Sequence, residues 1–337
     1  MKLGISRTAA LSAALAAAAA RTFIDLALDA NTIHNGAWIS ALLGALPAIP
    51  YLLCLDAICG KRPAKPLLLP LAVVTALDAA QVFSIVTRVS VYLSLDHVPD
   101  LALILPVALA TLWCVWRNGD AIGYAAALWA RAFPLLMLVV ILLQMRHYHT
   151  MWLHPLLGNG WREIVAGGAR TSGWFVPATA ILLARGMDAG KTESRCSAAW
   201  IALAAAVSAV LLILRLMMTP TGAYAASWLA RLDALLTNGR APLYLQLPMI
   251  LAFFIGALHL LACECFAASA LMQRAFPALN GRACGAIVVL ASAACATSGL
   301  SRPFMDRLAP WLFCAAAIPV AMIVLRDSKG GERPCEG

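Results

Sequence analysis

The chain has 337 residues, 62% of them hydrophobic and only 12% charged, with a mean hydropathy of +0.84. Soluble domains carry about 25% charged residues, so this composition excludes an ordinary soluble enzyme or binding module and indicates an all-α polytopic membrane protein. The net charge of +9 comes from basic residues scattered through short loops. That pattern makes no nucleic-acid surface, and in a membrane protein it reports which side each loop is on.

A helical span needs ~20 apolar residues, and about ten such stretches can be placed, each to roughly ±3 residues. Span 1 covers about 8–28. Its basic start and Ala-rich run are shared by secretory leaders, but the run continues to Leu28 and feeds further apolar stretches, so it reads as a membrane helix. Span 2 runs about 37–58 and ends at the basic loop Lys61, Arg62, Lys65; span 3 takes about 66–91. Span 4 runs about 100–116, then the turn Arg117-Asn118-Gly119-Asp120 leads into span 5, about 121–144. Span 6 lies within about 161–185, span 7 about 197–218, span 8 about 245–272, span 9 about 283–300 and span 10 about 308–325. Met218 to Leu245 is the longest outer connection, and its run WLARLDALL, Trp228 to Leu236, reads as a helix lying flat on the interface. No low-complexity linker divides the chain, which reads as one permease-like domain over 1–337.

The charges test this count. With the N-terminus cytoplasmic, inner segments hold Lys2, Arg7, Lys61, Arg62, Lys65, Arg117, Arg185, Lys191, Arg195, Arg274, Arg282, Arg326, Lys329 and Arg333; outer segments hold Arg146, Arg162, Arg170, Arg231, Arg240, Arg302 and Arg307. That is fourteen against seven, which places both termini in the cytoplasm. Trp38, Trp152, Trp161, Trp228 and Trp311 fall near span ends, where interfacial anchors belong. The ten cysteines contain no Cys-x-x-Cys pair, so no zinc or redox centre is signalled.

The stretch His154 to Arg185 departs from an ordinary span. A turn-rich run, Pro155 to Gly160, precedes a polar, glycine-bearing half, Trp161 to Gly173, and then an apolar half with Pro177. Proline removes one backbone donor and clashes with the carbonyl four residues earlier, and in hydrocarbon the freed group needs a protein or water partner. A helix broken here lines a cavity, with Trp174, Phe175, Val176, Pro177 and Thr179 facing it; the plainer reading is a kink in an ordinary span.

Charged residues within spans are costly and face a partner or a cavity. Arg21 and Asp25 stand at i,i+4 in span 1, so they share a helix face. They either neutralise one another, or Arg21 receives a ligand carboxylate that Asp25 helps to orient. Asp78 and Gln81 lie one turn apart in span 3, either as a polar stripe within the bundle or as the lining of a ligand or ion path. Glu264 in span 8, and Asp78, are candidates to take up a coupling proton or cation; a structural hydrogen bond is the competing role for Glu264. His259 and Glu264 are five apart, about 140° round a helix, and do not share a metal. His147, His149 and His154 in the loop before span 6 read as solvated. There is no Ser-His-Asp set, no phosphate loop and no pair of catalytic carboxylates, so neither an enzyme nor a cofactor is expected.

Several runs resemble the endospore germination permeases, the GerAB-type B subunits of nutrient germinant receptors, within the amino acid–polyamine–organocation transporter superfamily. They are Ile5-Ser6 opening span 1; Gly36-Ala37-Trp38-Ile39-Ser40 opening span 2; the stretch Asn118 to Pro134; and LLGNGWREIVAGG, Leu156 to Gly168, leading into span 6. The resemblance implies a five-plus-five inverted repeat, LeuT-like, with spans 1 and 6 broken. The span 1 break corresponds to Ala20, Arg21 and Thr22 here, where relatives carry glycines, and the span 6 break to Val176-Pro177-Ala178-Thr179. It also implies a small nutrient ligand, often an amino acid, bound near the midplane, and A-type and C-type receptor subunits as partners in the spore inner membrane. Three functions remain open: a germinant-receptor subunit, a secondary amino-acid or organic-cation transporter coupled to H⁺ or Na⁺, and a structural membrane subunit without a ligand site.

Overall fold

The computed structural model describes residues 9–10, 12–21, 24, 34–58, 65–90, 98–117, 119–144, 150–154, 156–158, 160–178, 180–181, 206, 209–210, 213, 246–298, 311, 315, 317–318 and 321–322. Most of the expected spans 7 and 10, the run 228–236, and Thr22, Asp25, His147, His149 and Thr179 lie outside the described residues.

Among the described residues every element is helical. Residues 12–21 form a helical segment. It is followed by α1 (Ala37–Ile58), α2 (Lys65–Ser90), α3 (Asp100–Trp116), α4 (Gly119–Gln144), α5 (Trp161–Thr171), α6 (Gln246–Ala275) and α7 (Gly281–Thr297). Each helix from α1 to α4, and α6 and α7, lies within about three residues of an expected span. Two stretches are long and apolar enough to cross a membrane, Leu68–Thr87 in α2 and Leu251–Ala275 in α6. A third is reached if α3 and the first part of α4 count as one unit bent by 118°. The all-helical class and a set of two or three membrane-competent helices therefore stand among the described residues.

Two groups of helices emerge from the packing. In the larger, α6 lies along α2, with α7, α3 and α4 around that pair; in the smaller, α1 packs against α5 and the turn that follows it. Each group has its own apolar core. The larger is built on Phe83, Val86, Ile104, Phe253, Leu260 and Val289, and the smaller on Ala41, Leu71, Trp174 and Phe175. The 12–21 segment runs between them. Ala10, Ala13, Ala17 and Ala20 recur at i, i+3, i+7 and i+10 and enter the larger core, while Ala14 and Ala18 enter the smaller. Methyl side chains let neighbouring helices come close, the condition that drives helix association where lipid is as apolar as the core itself.

The smaller group shows how tight this can be. Gly36, in the 3-10 turn that leads into α1, and Ser40 and Gly44 on α1 repeat every four residues and so share one face. They meet Ile164, Gly168 and Thr171 on α5. A Cβ on Gly44 would stand 2.8 Å from both the Ser172 nitrogen and the Thr171 carbonyl carbon, and one on Gly168 would stand 2.9 Å from the Leu43 Cβ. Hydroxyls close the seam in both directions. Ser40 Oγ donates to the Ile164 carbonyl at 2.9 Å, and Thr171 Oγ1 donates to the Ser40 carbonyl at 2.8 Å. Before α5, Gly160 has φ of 115°, a backbone conformation that glycine adopts without cost. Glu163 in the first turn and Arg170 in the last match the helix dipole.

Candidate functional site

Arg21 is the chain's most informative charge. Its Nη2 stands 3.2 Å from Asp78 Oδ1 and donates to Gln81 Oε1 at 2.6 Å. Arg21 is 2% exposed and Asp78 1%, so the ion pair is buried within the protein. Its position follows from α2. Leu68, Leu71, Ala72 and Val74 of that helix belong to the smaller core, and Ala79, Val82 and Phe83 to the larger. Asp78 and Gln81 sit at the crossover, one turn apart, and face the 12–21 segment that passes between the cores. A charge taken into an apolar interior costs several kcal/mol unless it is paired and hydrogen-bonded. The carboxylate and amide on α2 are what make an arginine tolerable in an otherwise alanine-lined segment.

Arg21 and Asp78 were separate expectations from sequence, and the structure brings them together. Arg21 reaches α2, sixty residues away in the chain, whereas i,i+4 spacing alone pointed to Asp25, which lies outside the described residues. Ala20 is buried beside the cluster in the larger core.

The span 6 candidates form a second feature. After Thr171 the helix tightens into a 3-10 turn, Ser172–Phe175, and becomes α-helical again at 176–178. Pro177 explains the change. In a continuous α-helix the Gly173 carbonyl would accept from the amide of residue 177, which proline lacks. Here the Val176 N–H takes that carbonyl instead, one residue earlier, and the tighter turn keeps the acceptor satisfied. The interruption expected at Pro177 is therefore a change of helix type. Thr171, Ser172 and Val176 all keep right-handed helical dihedrals, and no main chain is unwound between Trp161 and Ala178. Trp174, Phe175, Val176 and Ala178 are 0–3% exposed. They pack in the smaller core, while Ala180 and Ile181 pack in the larger. The tightened turn thus delivers the chain from one core to the other, as α2 does at Asp78.

Glu264 lies elsewhere on α6, fully buried, flanked by Cys263 and Cys265. His259 Nε2 stands 3.3 Å from Cys263 Sγ, a one-turn contact within α6. No group of three or more His, Cys, Asp or Glu suited to a metal occurs among the described residues. Cys114, Cys263, Cys265, Cys284 and Cys295 are free thiols.

Sequence reasoning did not identify the Gly36–Ser40–Gly44 face or its partner Thr171. The signal was present as small residues spaced by four, next to a hydroxyl in an otherwise apolar helix. No family model matches the chain, and no curated protein matches it.

Proposed function

We propose that the chain is the membrane subunit of a nutrient receptor of the germinant type, in which a small zwitterionic nutrient such as an amino acid displaces an internal ion pair. The reading rests on one observation, the buried Arg21–Asp78–Gln81 cluster at the crossover between two cores. An α-amino acid carries one carboxylate and one ammonium. It can give Asp78 an ammonium and Arg21 a carboxylate in place of each other, with Gln81 offering a further polar contact, so opposite charges replace opposite charges and the desolvation cost is shared. Ligand occupancy changes a conformational balance only through a difference in affinity between two states; displacement of the ion pair supplies that difference, because the pair loosens only in the occupied state.

The wider architecture belongs to the same proposal: about ten spans over residues 1–337, two five-span repeats of opposite orientation, both termini cytoplasmic, and A-type and C-type subunits as partners. Two contacts support this sidedness. Trp116 touches the Arg282 carbonyl, and a Cβ on Gly36 would lie 3.4 Å from the Leu157 carbonyl oxygen. In each pair, both residues fall on the same side in the charge-based topology.

A second reading, a structural subunit without a ligand site, is favoured by the near-complete burial of Arg21 and of the turn at Trp174 to Ala178. The test is a deletion strain of the spore-forming host, restored with wild type or with Arg21→Ala and scored for germination over a panel of amino acids. Loss of response at normal membrane levels of Arg21→Ala supports the receptor; unchanged response refutes it. Uptake of a labelled amino acid into liposomes by this chain alone would replace the receptor with a coupled transporter. Normal assembly with two partner subunits, with no ligand effect on any variant, would leave the structural subunit.

A further inference from the structure

The end of α3 carries a group of residues that nutrient binding does not use. Arg117 follows the last turn, and its guanidinium is folded back over the Trp113 ring, 4.5 Å from the centroid. Trp113 is one turn earlier, so the cation is folded back along α3 instead of extending beyond its end. Both rings are open on the outside: Trp113 is 59% exposed and Trp116 43%. Trp116 ties this end to α7, its Nε1 donating to the Arg282 carbonyl at 3.1 Å. The seam is close, since a Cβ on Gly285 would stand 2.9 Å from Val115 Cγ1 and 3.6 Å from Trp116 Cδ1. Arg282 is exposed, in the first turn of α7, where Asn280 Oδ1 accepts from its N–H at 3.2 Å. Two exposed arginines, two indoles and the positive pole of a helix therefore lie where the end of α3 meets the start of α7. The nearest acidic residue in sequence, Asp120, stands in the first turn of α4 and has an interaction of its own.

We propose that this corner holds the phosphate of an anionic phospholipid headgroup. Arginine presents a planar fork that matches phosphate oxygens in a bidentate manner, and indoles sit at headgroup depth, with an apolar body and a polar tip. Arg117, folded back along Trp113, meets the phosphate from below; Arg282, beside the Trp116 bridge, meets it from the side. The acyl chains then run down the exposed apolar face of α3, over Leu109, Leu105 and Leu101. Charge complementarity selects the occupant, because the side that carries the excess of basic loops faces the anionic leaflet.

The test uses the full chain, purified and delipidated in detergent, titrated with phosphatidylglycerol or phosphatidylcholine and read by native mass spectrometry as bound lipid per chain. Phosphatidylglycerol is expected to be retained preferentially. Arg117→Gln and Arg282→Gln are each expected to weaken that retention roughly fivefold, and together about thirtyfold. Arg162→Gln, which removes an equal charge from α5, is expected to leave it unchanged. Equal retention of the two lipids overturns the proposal, as does wild-type retention by both single variants. Displacement by millimolar inorganic phosphate as effective as by phosphatidylglycerol assigns the corner to a free anion and also overturns it. If the double variant does not fold, the two single variants carry the test.

Discussion

Removing one member of the Arg21–Asp78 pair and removing both are expected to have opposite consequences. At 3.2 Å, with an effective dielectric of about 20, the gross attraction between the two charges is about 5 kcal/mol. Burial of both groups offsets much of that, so the pair as a whole adds little to stability compared with apolar residues of the same shape. Breaking it is another matter. Arg21→Gln takes the cation from a buried carboxylate, and Asp78→Asn takes the anion from a buried guanidinium; each is expected to cost ~3–5 kcal/mol. The double variant Arg21→Met/Asp78→Leu removes both charges and is expected to lie within about 1 kcal/mol of wild type or above it. Unfolding in mixed micelles, with denaturing detergent as the perturbant, measures all four proteins. If both single variants fall within about 1 kcal/mol of wild type, or the double variant loses the sum of the singles, the pairing described here is wrong. The double variant also separates structure from function. It is expected to be well folded and silent to nutrient, because neither end of a zwitterion finds its opposite charge.

Other expectations follow from the packing. Gly44→Ala places a methyl 2.8 Å from backbone atoms of Thr171 and Ser172, which cannot yield as a side-chain tip can. A loss of ~1–3 kcal/mol is expected in the same unfolding measurement, against little change for Leu46→Ala, whose side chain on α1 is 60% exposed; equal losses would show that the seam is not close-packed. Ser40→Ala and Thr171→Val each remove one hydroxyl–carbonyl bond across that seam, for about 0.6 kcal/mol and at most about 1.7. A double-mutant cycle is expected to show positive coupling between them, and strict additivity would show that the two bonds are independent. Pro177→Ala restores an N–H to the Gly173 carbonyl. Hydrogen exchange over 173–178 is expected to slow as the 3-10 turn relaxes to an α-helix, and faster exchange would mean that the tight turn has another cause.

Among the described residues, helix positions were legible in the sequence because long apolar runs and their breaks mark them. Asp100 begins α3 and Trp116 ends it, where a proline and a glycine turn bound the run. Partners were harder to read. Spacing within one helix suggested Asp25 for Arg21, since i,i+4 neighbours are the only pairs a single span reveals. The contact with Asp78 depends on how α2 crosses the 12–21 segment, which no local pattern encodes. Pro177 announced a disturbance but not its form. Whether the chain unwinds or tightens depends on which donor reaches the Gly173 carbonyl first, and the buried setting of Trp174 and Phe175 leaves no water to compete with the Val176 amide.

Apart from Leu15, packed against the smaller core, and Arg21, the segment 12–21 presents mostly methyl groups to its neighbours. Leucine or phenylalanine would lock those surfaces like gear teeth, so that any shift would require rotamers to jump. Alanine has no rotamers to change. Shape alone therefore holds such a rod weakly in register, and the polar contacts of Arg21 with Asp78 and Gln81 on α2 help to fix it.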